Sequence, residues 1–189
     1  MKKIAFLAPS FPKLTETFIR TEIAAMQQQG HDVCVLTFAH FPHDDLGYPV
    51  YKIQDPPNNW QLALALLAKL RKLKFQNLAR ALKFIAQQQS LPKPSLFYYS
   101  LKIALKLNKL GVEHIHAHFA QHSCAHAITA AKLLNIPCSF VAHGHDIYNA
   151  PFDLALKLQH SNLTIAVCQD MQHDLQQAYN GNIKLLHCG

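Results

Sequence analysis

With 189 residues, half of them apolar and 15% charged, the chain can bury the core of one domain and is neither disordered nor fibrous in composition. Its net charge of +7 is unevenly placed: Pro56 to Val112 holds ten Lys and Arg and not one Asp or Glu, while elsewhere eleven acids face eight bases and leave −3. That distribution predicts a local basic surface with an anionic partner and excludes a generally basic protein.

KIAFLA (3–8) is a short apolar run stopped by Pro9, the pattern of a buried strand. The same run is shorter than the roughly 7–15 apolar residues of a signal-peptide core. A helix follows, capped by Thr15 or a neighbour, with Phe18, Ile19, Ile23 and Met26 on one face and Gly30 at its end. DVCVLTF (32–38) predicts a second strand, and 39–59, rich in proline, a loop with a short strand at Val50–Ile53. From Trp60 to about Gln89 the spacing of leucines is helical; Pro92 and Pro94 break it, and a further helix is expected over Ser95–Leu110, closed by Gly111. Thereafter strands at 113–119, 137–143, 162–168 and 182–188 alternate with helices ending near Leu134, His160 and 179. Such alternation predicts an α/β domain, a mostly parallel Rossmann-like sheet covered by helices on both faces. No run approaches the roughly 20 apolar residues of a spanning helix, since LALALLA stops at Lys69, so a soluble, cytosolic protein is expected. Cys34, Cys124, Cys138, Cys168 and Cys188 are widely spaced with no CxxC pair, which predicts reduced thiols without a disulfide framework or zinc ribbon.

In open α/β sheets ligands bind beyond the carboxyl ends of the strands, which selects the loops at 9–15, 118–122 and 143–150. AHGHDIY (142–148) sets His143, Gly144, His145 and Asp146 at one strand end. An imidazole there can donate to a phosphate or sugar hydroxyl, although Asp146 as a turn cap and His143 as a satisfied polar residue fit the spacing equally. PSFPKLTETF (9–18) runs into a helix with Ser10, Thr15, Glu16 and Thr17 near its N-terminus, where an anion is favoured. Thr15 as cap and Glu16 as first-turn acid is the plainer alternative, and neither a dinucleotide fingerprint nor a Walker A loop is present.

HIHAHFAQHSCAH (114–126) invites a metal-site reading. His114, His116 and His118 alternate along a strand, whereas His118, His122 and His126 have helical spacing, and the turn between prevents both sets from converging. HExxH is absent and only Glu113 and Cys124 are near in sequence, so no metal site is expected. His116 and His118 are placed instead at the sheet's carboxyl edge beside His143. The basic segment, with Lys69, Arg71, Lys72, Lys74, Arg80 and Lys83 among leucines, reads as an amphipathic helix that lies on an anionic membrane or packs on the domain with its lysines solvated. Phe97, Tyr98 and Tyr99 are not interleaved with the basic groups, so no nucleic-acid partner is expected.

In order and spacing, KIAFLAPSFPKLTETFIRTEI, GHDVCVLTF, HIHAHFA, FVAHGHDIY, TIAVCQDMQHDL and IKLLHCG resemble the N-terminal half of a family 4 glycosyltransferase. This is the retaining, nucleotide-sugar-dependent class with the GT-B fold, and the likeness is to its bacterial exopolysaccharide or colanic-acid type. The resemblance covers essentially residues 1–189, with 56–112 as its least characteristic part. It implies that His143 is catalytic and faces the donor sugar and phosphate, that Thr15, Glu16 and Thr17 line the cleft, and that His118 and Asp146 support or contact the acceptor. It further implies a sugar or lipid-linked sugar acceptor, a nucleotide-sugar donor held by a second domain, no metal or other cofactor, and a place at the inner membrane face. The C-terminal half of the family pattern is not in this chain, so the chain alone is expected to be inactive. A non-catalytic Rossmann-like binding module remains the alternative.

Overall fold

The computed structural model describes residues 1–42, 45–53, 74–149 and 151–187. In chain order the elements are β1 (Lys3–Phe11), α1 (Thr17–Gln28), β2 (Asp32–His40), β3 (Val50–Lys52), α2 (Phe75–Gln87), α3 (Lys93–Leu110), β4 (His114–His118), α4 (His122–Leu134), β5 (Cys138–Val141), α5 (Leu154–His160), β6 (Leu163–Ala166), α6 (Gln169–Ala178) and β7 (Ile183–Leu185). A single π-helical turn, His145–Asn149, follows β5. The seven strands form one parallel sheet in the order β3-β2-β1-β4-β5-β6-β7. The chain therefore winds outward in both directions from the β1/β4 pair, and that pair is the topological switch point.

Alternation along the strands sorts the core into two layers. Ile4, Phe6, Ala8, Val33 and Val35 meet Ile19 and Ile23 of α1 on one face. Ala5, Leu7, Cys34, Leu36, Ile115 and Ala117 point the other way, into the larger core that α4 shares with α2 and α3. Helix α4 is buried along nearly its whole length, which explains its alanines at Ala125, Ala127, Ala130 and Ala131. Fully buried Phe6, Phe84 and Phe140 each contribute on the order of 1.5–3 kcal/mol by leaving water.

Several boundaries differ from the expected ones. Pro9 does not end β1, which continues to Phe11 against β2. Its pairing with β4 stops at Leu7, opposite Ala117. The carbonyl of Lys2 accepts from Asp32 on the β2 side and that of Lys3 from Glu113 on the β4 side, yet the carbonyl of Phe11 accepts from Phe41 just past β2, so the alternation shifts between Lys3 and Phe11. Pro9, which has no N–H to give, is skipped in the β2 register between the paired Ala8 and Ser10. Pro94 likewise opens α3 within its first turn, where a proline needs no donor. Gly111, with φ of 69°, closes that helix as expected. Glu16, not Thr15, occupies the N-cap of α1, without a side-chain capping bond.

The helical reading from Trp60 is observed from Phe75 onward; its first part, 60–73, lies outside the described residues, as does Cys188. Cys34, Cys124 and Cys138 are buried free thiols and Cys168 is an exposed one.

Candidate functional site

The loops after β4 and β5 meet the first turn of α1 at the carboxyl edge of the switch point. The loop after β5 is held by Asp146, which is completely buried. Its Oδ1 accepts from the His143 amide at 3.0 Å, and its Oδ2 accepts a short bond from the Ala120 amide in the loop after β4. Burial pushes the Asp146 carboxyl above its ordinary value, and the two amide bonds oppose that shift. Lys157 of α5, also buried, donates from Nζ to the carbonyls of Ala120 at 2.8 Å and Phe152 at 2.6 Å. Ala120 is thus gripped through both its amide and its carbonyl. Asp146 supports the site, since neither carboxylate oxygen is open to a ligand.

His143 is half-buried in an aromatic collar. Its ring lies 4.7 Å from Phe18 of α1, 4.5 Å from Phe119 and 6.0 Å, stacked, from His118. Phe119 holds a φ of 69°, unusual for a bulky side chain and characteristic of functional loops. Burial lowers His143 to about 4 against the opposing pull of the Glu22 carboxylate, so the ring is neutral at pH 7. Its Nε2 is buried without a hydrogen-bond partner among the described residues.

His118 is 1% exposed, stacks on Phe6 at 5.8 Å, and is held well below its ordinary pKa by burial and then by His116 and His143. Both of its ring nitrogens are without hydrogen-bond partners among the described residues. Beside it His116 is also buried, with Nδ1 2.7 Å from Ser139 Oγ. Glu22, from the face of α1 turned to the sheet, brings its carboxylate 3.0 Å from His116 Nε2 and 3.5 Å from His118 Nε2.

The other histidines of the cluster serve the framework. His114 bonds Ser139 Oγ at 2.6 Å, and burial lowers it to about 4. Buried His126 pairs through Nδ1 with the His122 carbonyl at 2.7 Å and packs edge-on against Phe38 and Tyr99.

Thr15 and Thr17 lie apart from the aromatic collar. Both are exposed and line, with Lys13, Arg20, Phe41 and Asp45, a cavity of about 640 Å³ on the β2 side of the α1 N-terminus. Glu16 is half-buried and accepts from Lys13 Nζ at 3.0 Å. A second cavity, about 210 Å³, opens on the other side of α1 between Phe18, Glu22, His118, Val141, Ile165 and His187. Sequence reasoning selected His118, His143 and Asp146, which the structure brings together. It missed Phe18, Glu22 and Phe119; the first two stand four residues apart on one helical face, with Phe18 read only as core spacing and Glu22 passed over.

The family model for Glycosyltransferase Family 4 matches residues 15–189. No curated protein sequence matches the chain. Among solved structures the chain is similar to Acinetobacter baumannii MurG, at 14% identity and a TM-score of 0.61, over 100% of this chain and 46% of that one. It is similar over 100% of its length to 44% of Anabaena HepE in complex with UDP-glucose, at 16% identity and a TM-score of 0.62. The S. aureus MnaA–UDP structure aligns at 15% identity and a TM-score of 0.56, over 98% of this chain and 44% of that one. The chain thus spans less than half the length of the solved structures it matches, and the shared part is the Rossmann-like half of a GT-B architecture. With 15–189 matched by its model, the chain belongs to glycosyltransferase family 4.

Proposed function

We propose that the chain is the acceptor-side half of a retaining, nucleotide-sugar-dependent glycosyltransferase of bacterial surface-polysaccharide synthesis, completed by a donor-binding half. The observation that carries this reading is His143: neutral, fixed by its backbone to Asp146, and holding an unpartnered Nε2 at the carboxyl edge of the switch point. In a retaining transfer the bond from the anomeric carbon to the departing phosphate breaks with negative charge building on the phosphate oxygens. A pre-positioned donor that need not reorganise stabilises that charge more than water does. A neutral imidazole carries one N–H for that purpose and adds no fixed positive charge that would retain the nucleotide product. The 640 Å³ cavity beside Thr15 and Thr17, with Lys13 and Arg20 at its wall, is the place for a sugar or lipid-linked sugar acceptor bearing phosphate. UDP-glucose, the ligand of the HepE structure, is the first donor to try.

The test is steady-state kinetics of the full-length protein with a panel of nucleotide-sugars. His143→Ala is expected to lower kcat by about 10²–10³ with little change in donor KM, the signature of a donor acting in the transition state. Transfer undiminished in that variant removes His143 from the mechanism.

A further inference from the structure

We propose that Glu22, His116 and His118 form a binding site for a divalent transition-metal ion, zinc foremost, using the Glu22 carboxylate and the two imidazole Nε2 atoms. The three ligand atoms lie within 4.8 Å of one another, and two of the three side chains are buried. The residues come from β4 and α1. Alternation along β4 puts His116 and His118 on one face, and α1 lays Glu22 across that face.

The detail of the contacts favours an ion over a simple ion pair. Glu22 Oε1 is 3.0 Å from His116 Nε2, yet that nitrogen makes no well-aligned hydrogen bond to it. His118 Nε2 is 3.5 Å from Oε2 and is equally unpartnered. In a hydrogen bond the N–H direction points at the acceptor. In a metal site each lone pair points at a third position, and the ligand atoms face past one another. Tetrahedral zinc, with bonds of about 2.0–2.1 Å to nitrogen and oxygen, sets its ligand atoms about 3.3 Å apart. Oε1 at 3.0 Å from His116 Nε2 and Oε2 at 3.5 Å from His118 Nε2 lie close to that edge, each carboxylate oxygen facing one imidazole.

The proton balance also closes. His116 with its proton on Nδ1 donates to Ser139 Oγ at 2.7 Å, which leaves the Nε2 lone pair for the ion and fixes the ring's orientation. Two neutral imidazoles and one carboxylate leave a zinc complex of charge +1. Three protein ligands leave a fourth position, and the 210 Å³ cavity lined by Glu22 and His118 gives it access to water or an oxygen ligand. Nitrogen and oxygen ligands of this kind suit zinc over magnesium or calcium. The expectation of no metal rested on the residues near the cluster in sequence, and Glu22 is remote from it.

The site is tested on the chain itself, by a readout that needs no transfer. Chelator-stripped protein is titrated with zinc chloride by calorimetry, and cobalt(II) is added in parallel to read its visible absorption. One ion per chain is expected, with micromolar or tighter affinity, an absorption of four-coordinate cobalt, and a raised Tm. Glu22→Gln, at a half-buried position that tolerates the isostere, is expected to weaken zinc at least tenfold and abolish the zinc-dependent rise in Tm. His173→Gln, an exposed histidine elsewhere, is expected to change neither. Glu22→Gln that keeps wild-type zinc affinity, or wild type that binds no zinc while its melt shows it folded, overturns the proposal.

Discussion

Asp146 and His143 sit three positions apart and divide one task. The carboxylate, closed off from ligand, fixes where the imidazole's backbone runs. Asp146→Asn keeps the volume but replaces an acceptor with an N–H₂ facing one of two amide donors. Leaving a buried donor unpaired costs about 1–3 kcal/mol. The expected outcome is an unfolding free energy lower by that amount, read as a lower urea midpoint with an unchanged m-value; an unaltered midpoint would show that the Ala120 and His143 amides find other partners. Histidine content was easy to see in the sequence and its meaning was not. Strand alternation does group His116 with His118, but no local pattern tells that Ser139 takes His114 and His116 together or that α1 brings a carboxylate to them.

Among the elements, strands read most clearly because a parallel sheet buries both faces and writes an unbroken apolar run. Helix starts read poorly. Pro94 looked like a breaker because its effect depends on position, harmful inside a helix and harmless in the first turn, and the two are indistinguishable until the N-terminus is known. For α2 the apolar face is committed to the domain: Ala81, Phe84 and Ile85 are buried, and Asn77 donates to the Leu133 carbonyl at 3.3 Å. What α2 shows to solvent is Lys74, Phe75, Leu82 and Lys83, an apolar pair between lysines. Phe75 is 83% exposed, so the surface has an aromatic group to insert as well as charge to attract. Each lysine near an anionic leaflet contributes about 1 kcal/mol at low salt. The chain is therefore expected to float with vesicles containing phosphatidylserine at low ionic strength and to be released at high; no flotation at low salt removes the membrane partner. Among the described residues no helix is long and apolar enough to cross a membrane.

Taken whole, the molecule buries imidazoles that it must keep neutral. Burial lowers His114, His126 and His143 to about 4 from 6.5. The unfolded chain binds protons at these sites from about pH 6.5 downward while the folded chain does not, so stability falls as pH drops through the window from 6.5 to about 4. Below it both states are protonated and the loss is complete. The nearly inaccessible His126 alone removes on the order of 2 kcal/mol by pH 5, and the more open His114 and His143 less. Thermal melts across pH 7 to 4.5 are expected to show a steep fall in Tm, halved or less steep in His126→Phe; a flat profile would mean the rings are solvated. The fold class itself was legible because it depends on periodicity summed over many residues. The site was only half legible, because it depends on which loops the winding brings together.

Lys157 carries one more consequence. Its ammonium is a clasp between α5 and the loop after β4, joined at Ala120 and Phe152. Any shift of α5 is passed through Ala120 to the neighbouring Phe119, and so to the ring of His143.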